Sequence, residues 1–292
     1  MNIASPCTGI CKLDEATGWC LGCGRTGEEM DGWRVQSEAA RQKVWDQIPG
    51  RLKELGVTCR RLPWTTDDIR SFVTSTLEAG RGTWVIGVVG AVAEFTAAQH
   101  ANVDVRVDGD DITAYTQNGA VRVKINDDIR ALTFDPPDWG REPRIVLAVK
   151  RERGRLPVAS GVEDLGPDTD ALLLETNSKL YDLGLARKEG RFCVRLGKGA
   201  AQEALDGSMG LAFAQALPMI AGPLIAQSPT RVVQSALGRI EVQGQIPPPE
   251  AISPAGPHTH LLPDHVEMGR ALPIGMDLPR AYLPGAIFYP PK

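Results

Sequence analysis

Several kinds of chemistry are missing from this sequence. It contains no G-x-G-x-x-G turn, no P-loop and no G-x-S-x-G elbow, so the common nucleotide and hydrolase signatures are absent. It also lacks an excess of positive charge. With 32 Lys and Arg against 36 Asp and Glu, the net charge is −4, which argues against a broad nucleic-acid face, because phosphate contact needs clustered cations. The opening Met-Asn-Ile-Ala-Ser-Pro-Cys has no apolar core of the kind a secretory signal needs. A cytoplasmic setting with reduced thiols is therefore expected. One apolar run, Met209 to Ala226, reaches the eighteen residues at which a membrane span begins. Gln215, Pro218 and Gly222-Pro223 interrupt it and would leave backbone groups unpaired in lipid. We expect a buried, proline-broken helix there and no membrane span. Internal repeats are absent too. A chain of 292 residues, 42% hydrophobic and 23% charged, is ordinary for a globular protein of about two domains.

What the sequence does have is a cluster of thiols. Four of the six cysteines, Cys7, Cys11, Cys20 and Cys23, fall within seventeen residues, spaced C-x3-C, eight residues, C-x2-C-G. Two short pairs joined by a loop can bring four sulfurs around one ion. Glycine after Cys23 permits positive φ, so backbone N–H groups can turn toward the thiolates. Asp14-Glu-Ala-Thr-Gly18 reads as the hairpin turn that folds the second pair onto the first. Disulfides are disfavoured by the reducing compartment. A redox Cys20-Leu-Gly-Cys23 would leave Cys7 and Cys11 unused and lacks a βαβ context. The expected cofactor is one metal centre on the four cysteines. The residues lean to Zn2+, with an Fe–S cluster or a single Fe as the alternative.

These residues, with Leu13-Asp14, Gly24-Arg25-Thr26, Glu29, Trp33 and the Glu38-Ala-Ala-Arg41 helix, resemble the DUF1289 family over about residues 4–56. Its members are small bacterial proteins often labelled as predicted Fe–S proteins, and the resemblance implies iron where the donor set leaned to zinc. The remainder is similar to bacterial proteins of unknown function.

The expected fold class is α+β. A four-cysteine module with helices (1–60) precedes a larger unit (64–292) with a mainly antiparallel sheet and flanking helices. Thr26-Gly-Glu-Glu29 and Thr65-Thr-Asp-Asp68 read as capping boxes. Ser37 caps a helix expected to run to Gln47, before Pro49-Gly50, and Trp19, Trp33 and Trp45 are expected to supply the small core. Val57 to Pro63 reads as a linker with Arg60 and Arg61 exposed and Cys59 a spare thiol. A helix with Ile69, Phe72, Val73, Thr76 and Leu77 follows. Strands are expected at 83–89, continuing over 91–95, then at 103–107, 112–116, 120–125, 130–134 and 144–150, with Asn118-Gly119 marking a hairpin. Asn177 to Ala186 reads as a short helix and Arg191 to Leu196 as a strand with Phe192 and Val194 on one face and Cys193 on the other. Thr230 to Gln245 reads as two strands around Gly238. The many prolines near the C-terminus suggest ordered irregular coil.

A second candidate site is Gly256-Pro-His258-Thr-His260-Leu-Leu-Pro-Asp264-His265, which holds three of the four histidines. His-x-His on an extended segment puts both rings on one side, a spacing suited to a metal, with Asp264 or His265 completing the set. Polar contacts of imidazoles with a proline-rich backbone are the competing reading. His100 reads as a surface residue. The functional expectation is a metal-binding protein of structural or adaptor role with a protein partner. Electron transfer through the cysteine centre is the alternative, and a catalytic or haem- or metal-handling site at the histidine loop is the third. Whether the chain is an enzyme is left open.

Overall fold

In the computed structural model, the described residues are 3–88, 91–97, 102–134, 142–157, 159–175, 177–185, 190–247, 256–260 and 278–291. The N-terminal part is helical. Thr26 caps α1 (Gly27–Asp31) through the expected reciprocal box with Glu29, and Ser37 caps α2 (Glu38–Glu54). Pro49 does not stop α2, which runs seven residues past the expected end at Gln47. Pro49 cannot donate an intrahelical bond, but Ile48 and Leu52 on either side are buried with Val44, Trp45 and Trp33. Burial of two full aliphatic side chains is worth about 1.5–3 kcal/mol each, enough to offset a lost helix bond. Trp19 is not part of that cluster; it lies half-buried under the Arg51 guanidinium, 5.5 Å from its ring centroid.

The stretch read as a linker is a strand. β1 (Cys59–Arg61) pairs antiparallel with β7 (Ile129–Phe134), and Cys59 is buried in the sheet. Arg60 and Arg61 are both half-buried rather than exposed. Thr65 then caps α3 (Thr66–Glu78) through the second capping box, with Ile69, Val73, Thr76 and Leu77 buried as the periodicity predicted.

The remaining strands are β2 (Thr83–Val88), β3 (Ala91–Phe95), β4 (Asp104–Asp108), β5 (Asp111–Thr116), β6 (Gly119–Lys124), β8 (Ile145–Lys150), β9 (Glu163–Pro167), β10 (Lys179–Asp182), β11 (Gly190–Leu196), β12 (Thr230–Ser235), β13 (Gly238–Val242), β14 (His258–His260) and β15 (Tyr282–Tyr289). They form two antiparallel sheets. The first has the order β1-β7-β8-β15-β2-β3-β14 and the second β4-β5-β6-β13-β12-β11-β10-β9. Their facing sides share one large core, with Trp84, Ile86 and Leu147 from the first sheet and Val121, Phe192, Val233 and Ile240 from the second. The fold is thus α+β, built on two sheets where the strand pattern suggested one.

Other differences have local causes. β3 turns back on β2 as a hairpin rather than continuing it. Residues 179–182 are a strand because Leu180 and Tyr181 serve opposite faces, Tyr181 in the main core and Leu180 with Cys193 and Val232 behind it; a helix could not split neighbours that way. β15 lies in mid-sheet between β8 and β2 where coil was expected, and it accommodates Pro284 at a register shift before Ala286. α4 (Ala200–Asp206) and α5 (Phe213–Gln227) add Ala201, Leu205, Ala216, Ile220 and Leu224 to the core. The apolar run therefore folds as a helix, but Pro218 and Pro223 do not break it, and only one side is buried. Leu217, Met219 and Ile225 are 42–54% exposed. The i, i+4, i+8 row of Ala216, Ile220 and Leu224 holds the helix to the core. Among the described residues no helix is long and apolar enough to cross a membrane.

Candidate metal centre and a buried charge network

The hairpin turn expected between the two cysteine pairs is present. Asp14 and Trp19 close the turn backbone to backbone at 2.8 Å, Thr17 N–H and Oγ1 both donate to the Asp14 carboxylate at 2.8 Å, and Gly18 takes φ +70°. Bridges Leu13–Cys20 and Trp19–Thr26 extend the hairpin. After Cys20, the Gly24 N–H returns to the Cys20 carbonyl at 2.8 Å and Gly24 sits at φ +69°, the conformation that glycine was expected to permit. Gly22 is required for a different reason. A Cβ there would lie 2.5 Å from Thr8 Oγ1 and 2.7 Å from Ile10 Cβ, so a side chain would push the first cysteine loop off the knuckle. Thr8, itself buried, donates to the Gly22 carbonyl at 2.9 Å.

All six cysteines are free thiols. The four of the motif lie in two pairs, with Cys11 against Cys7 and Cys20 against Cys23, and Cys20 close enough to act electrostatically on Cys11. Amide donors converge on the sulfurs. The Gly9 N–H donates to Cys7 Sγ at 3.4 Å; backbone N–H groups of Gly22, Cys23 and Lys12 point at Cys20; Arg25 gives Cys23 both its backbone N–H and its Nε, the latter at 3.4 Å. The Cys23 thiol and those three amides hold Cys20 down at about 5. Burial opposes them, and Cys20 Sγ also lies 2.9 Å from the Ile10 carbonyl, a contact that suits a thiol better than a thiolate. The downward direction prevails, since four donors face one carbonyl. Cys23 moves up, through the same bond to Cys20 and through burial. Cys11 also moves up, pressed first by the neighbouring Cys7 sulfur. The segment thus holds reduced sulfurs, N–H···S bonds and, on Cys23, the buried Arg25 guanidinium, which stacks over Trp33 at 5.0 Å, features that a thiolate metal site would use. Among the described residues, no group of three or more Cys, His, Asp or Glu side chains is arranged to hold an ion.

The histidine loop is placed only in part. His258 and His260 lie on β14, the edge strand paired with β3, with His258 opposite Glu94 and His260 opposite Val92. The extended conformation expected of His-x-His is thus present. Both His258 ring nitrogens are engaged, Nε2 with Glu94 Oε2 at 3.1 Å and Nδ1 with the Gly256 carbonyl at 2.8 Å. Asp264, His265 and His100 lie outside the described residues. Cys193, on the outer side of β11, is fully buried with Leu180 and Val232, and burial pushes its thiol up, as its reading as a packing residue implied.

A third place was not foreseen. On the side of the second sheet away from the main core, Arg195 (β11), Arg239 and Glu241 (β13) are buried to within 1%. Glu241 accepts from Arg239 Nε at 2.5 Å and from the Leu172 and Leu173 amides at 2.9 and 3.0 Å, and it pairs with Arg195 Nη1 at 2.8 Å. Asp168 joins both arginines, and Arg195 Nη2 donates to the Leu173 carbonyl at 2.6 Å. The network ties the 168–175 segment across the sheet. Beside it opens a polar cleft of about 330 Å³, lined by Glu175, Arg195, Gln227, Ser228, Thr230 and Gln243 among others. The alternation puts Arg195 with Cys193 on the outward-reading side of Arg-Phe-Cys-Val-Arg-Leu, and Arg239 and Glu241 opposite Ile240 and Val242, so no sign in the sequence marks these charges as buried.

Comparisons with known proteins divide the chain unevenly. A family of unknown function, DUF6925, matches residues 68–292, and a protein family of unknown function, DUF1289, matches residues 5–52, so the resemblance read from the cysteine motif is borne out. The uncharacterized protein YdhL of Escherichia coli strain K12 is 43% identical over 42 residues, which is 14% of this chain and 52% of that protein, and YdhL of Shigella flexneri aligns identically. The chain spans about half the length of the curated relatives it matches. No solved structure matches.

Proposed function

This chain belongs to the DUF6925 family, and from that premise we propose that it is a metal-binding protein of structural or adaptor role, whose N-terminal unit (1–60) closes Cys7, Cys11, Cys20 and Cys23 around one ion. Zinc is the first choice and an iron or Fe–S centre the second. The observation that carries the reading is the convergence of N–H donors on the cysteine sulfurs around a glycine that cannot bear a side chain. Such donors lower the cost of gathering thiolates. When bound, zinc in a four-thiolate site would supply folding energy and no open position for substrate. The chain's own residues supply the rest: Arg25 offsets charge at Cys23, and the Thr8–Gly22 bond keeps the two cysteine loops together.

A protein partner is supported by α5. Its fifteen residues include no Asp, Glu, Lys or Arg, and Leu217, Met219 and Ile225 face outward; exposed apolar surface of this kind marks contact with other molecules. The electron-transfer alternative has the exposure of Cys11 in its favour, since a redox centre needs an edge near a partner. The reading of the histidine loop as a catalytic or haem- or metal-handling site has less behind it, because both nitrogens of His258 already have partners.

Metal analysis with a visible spectrum, on full-length protein purified without oxygen, tests the proposal. We expect one equivalent of zinc and no colour; a coloured, iron-containing preparation would select the alternative. Protein free of both metals after purification and after titration with each would end the metal reading.

A further inference from the structure

Arg61 falls between the two family-matched segments, yet it touches both parts of the chain. Its backbone is fixed in the first sheet, opposite Leu132 of β7. Strand alternation puts its side chain on the same side as Cys59, which is buried there with Phe134 and Tyr282. From that side Arg61 Nη1 donates to the carbonyl of Ser5, two residues before Cys7. Its Nε is buried, and no partner for it is present among the described residues. The groups that act on its charge come from every neighbouring element: Arg130 of β7, Tyr282 of β15, Cys7 of the first cysteine loop and Arg25 of the knuckle. Burial is the largest influence and holds Arg61 down at about 10, still cationic at neutral pH.

Two further contacts fix the same N-terminal stretch. Trp45 Nε1 of α2 donates to the Ala4 carbonyl at 2.9 Å. Gly9, at φ +81°, is so close to the residue before β15 that an added Cβ would lie 2.9 Å from Ala281 Cβ. Residues 4–9 are therefore clamped between α2, β1 and the start of β15. Charge gives the clamp a purpose. Four thiolates on a divalent ion carry a net charge of −2, and the guanidiniums of Arg25 and Arg61 both act on these cysteines.

We propose that Arg61, a residue of the large sheet, is a positioning residue of the four-cysteine centre: it holds the Ser5 carbonyl and sets a positive charge beside Cys7, so that closing the centre fastens the N-terminal unit to the sheet. This rests on the metal reading above. The centre is then braced from the sheet by a residue that lies outside both family-matched segments.

The test uses the full chain loaded with zinc, comparing wild type with Arg61→Met, Arg61→Lys and, as control, Arg60→Met on the opposite side of β1. Zinc release to a chromogenic chelator and amide exchange over residues 5–9 and 280–284 are measured. Arg61→Met should release zinc about tenfold faster, in the range for loss of an outer-shell partner, and exchange faster in both segments. Arg61→Lys should recover most of the release rate, and Arg60→Met should match wild type. Equal release from wild type and Arg61→Met overturns the inference alone, as does equal damage from Met and Lys, which would mean packing rather than charge. A wild-type chain that takes up no zinc overturns the metal reading itself, and this inference with it.

Discussion

Serine at both Cys20 and Cys23 should abolish zinc retention and release the first fifty-odd residues from their fold, while the two-sheet body keeps its own melting transition. The expected size follows from the small core. Trp33, Val44, Trp45, Ile48 and Leu52 are its only buried apolar residues besides Cys20 and Cys23 among the described ones. A core so small does not support itself against chain entropy, whereas a structural four-thiolate zinc contributes about 10–16 kcal/mol of apparent binding energy at neutral pH. Proteolysis should cut within residues 5–55 at least about a hundredfold faster in the double variant, a modest fraction of what that energy allows. Treating wild type with a strong chelator should reproduce the effect, and restoring zinc should reverse it in wild type only. If serine left the N-terminal unit protected, the helices would be shown to stand without an ion.

The second large effect lies in the buried network. Glu241→Ala should destabilise the body by about 3–5 kcal/mol, because it leaves the buried Arg195 and Arg239 guanidiniums with Asp168 as the one buried carboxylate between them. For a chain of this size that is a fall in melting temperature on the order of 10 °C. It also removes the acceptor for the Leu172 and Leu173 amides, so the 168–175 segment should show the earliest loss of exchange protection. Asp104→Asn is the contrast. Its partner is Arg106, and both side chains are more than half exposed, so a change within about 0.5 kcal/mol is expected. Near-equal melting of the two variants, followed by calorimetry, would mean that the network contributes little.

Much of the body was legible because local chemistry and global packing agreed there. Asn118-Gly119 placed the β5–β6 hairpin, and the two capping boxes placed the starts of α1 and α3. The Phe192/Val194 alternation separated the core side of β11 from the side that holds Cys193. Where sequence and structure parted, a distant contact had overruled a local preference. Pro49 and the prolines of α5 were read as breaks, yet one buried row of side chains holds each helix through them. Residues 179–182 follow a helical pattern but pair with β11, and Pro284 marks coil locally yet sits in mid-sheet because β8 and β2 flank it. The two-sheet arrangement itself was beyond reach, since nothing in β7 and β8 distinguishes them from the meander they follow. At the cysteines the spacing, the turn and the role of Gly24 were all readable. Thr8 against Gly22 and Arg61 on Ser5 were not, because each joins elements through contacts that no short window of sequence contains.

X-ray absorption at the metal edge of the purified full-length protein tests the central claim most directly. Four sulfur scatterers at about 2.3 Å around one zinc are the expected result. A shell of nitrogen and oxygen, or fewer than four sulfurs in the intact chain, would contradict it.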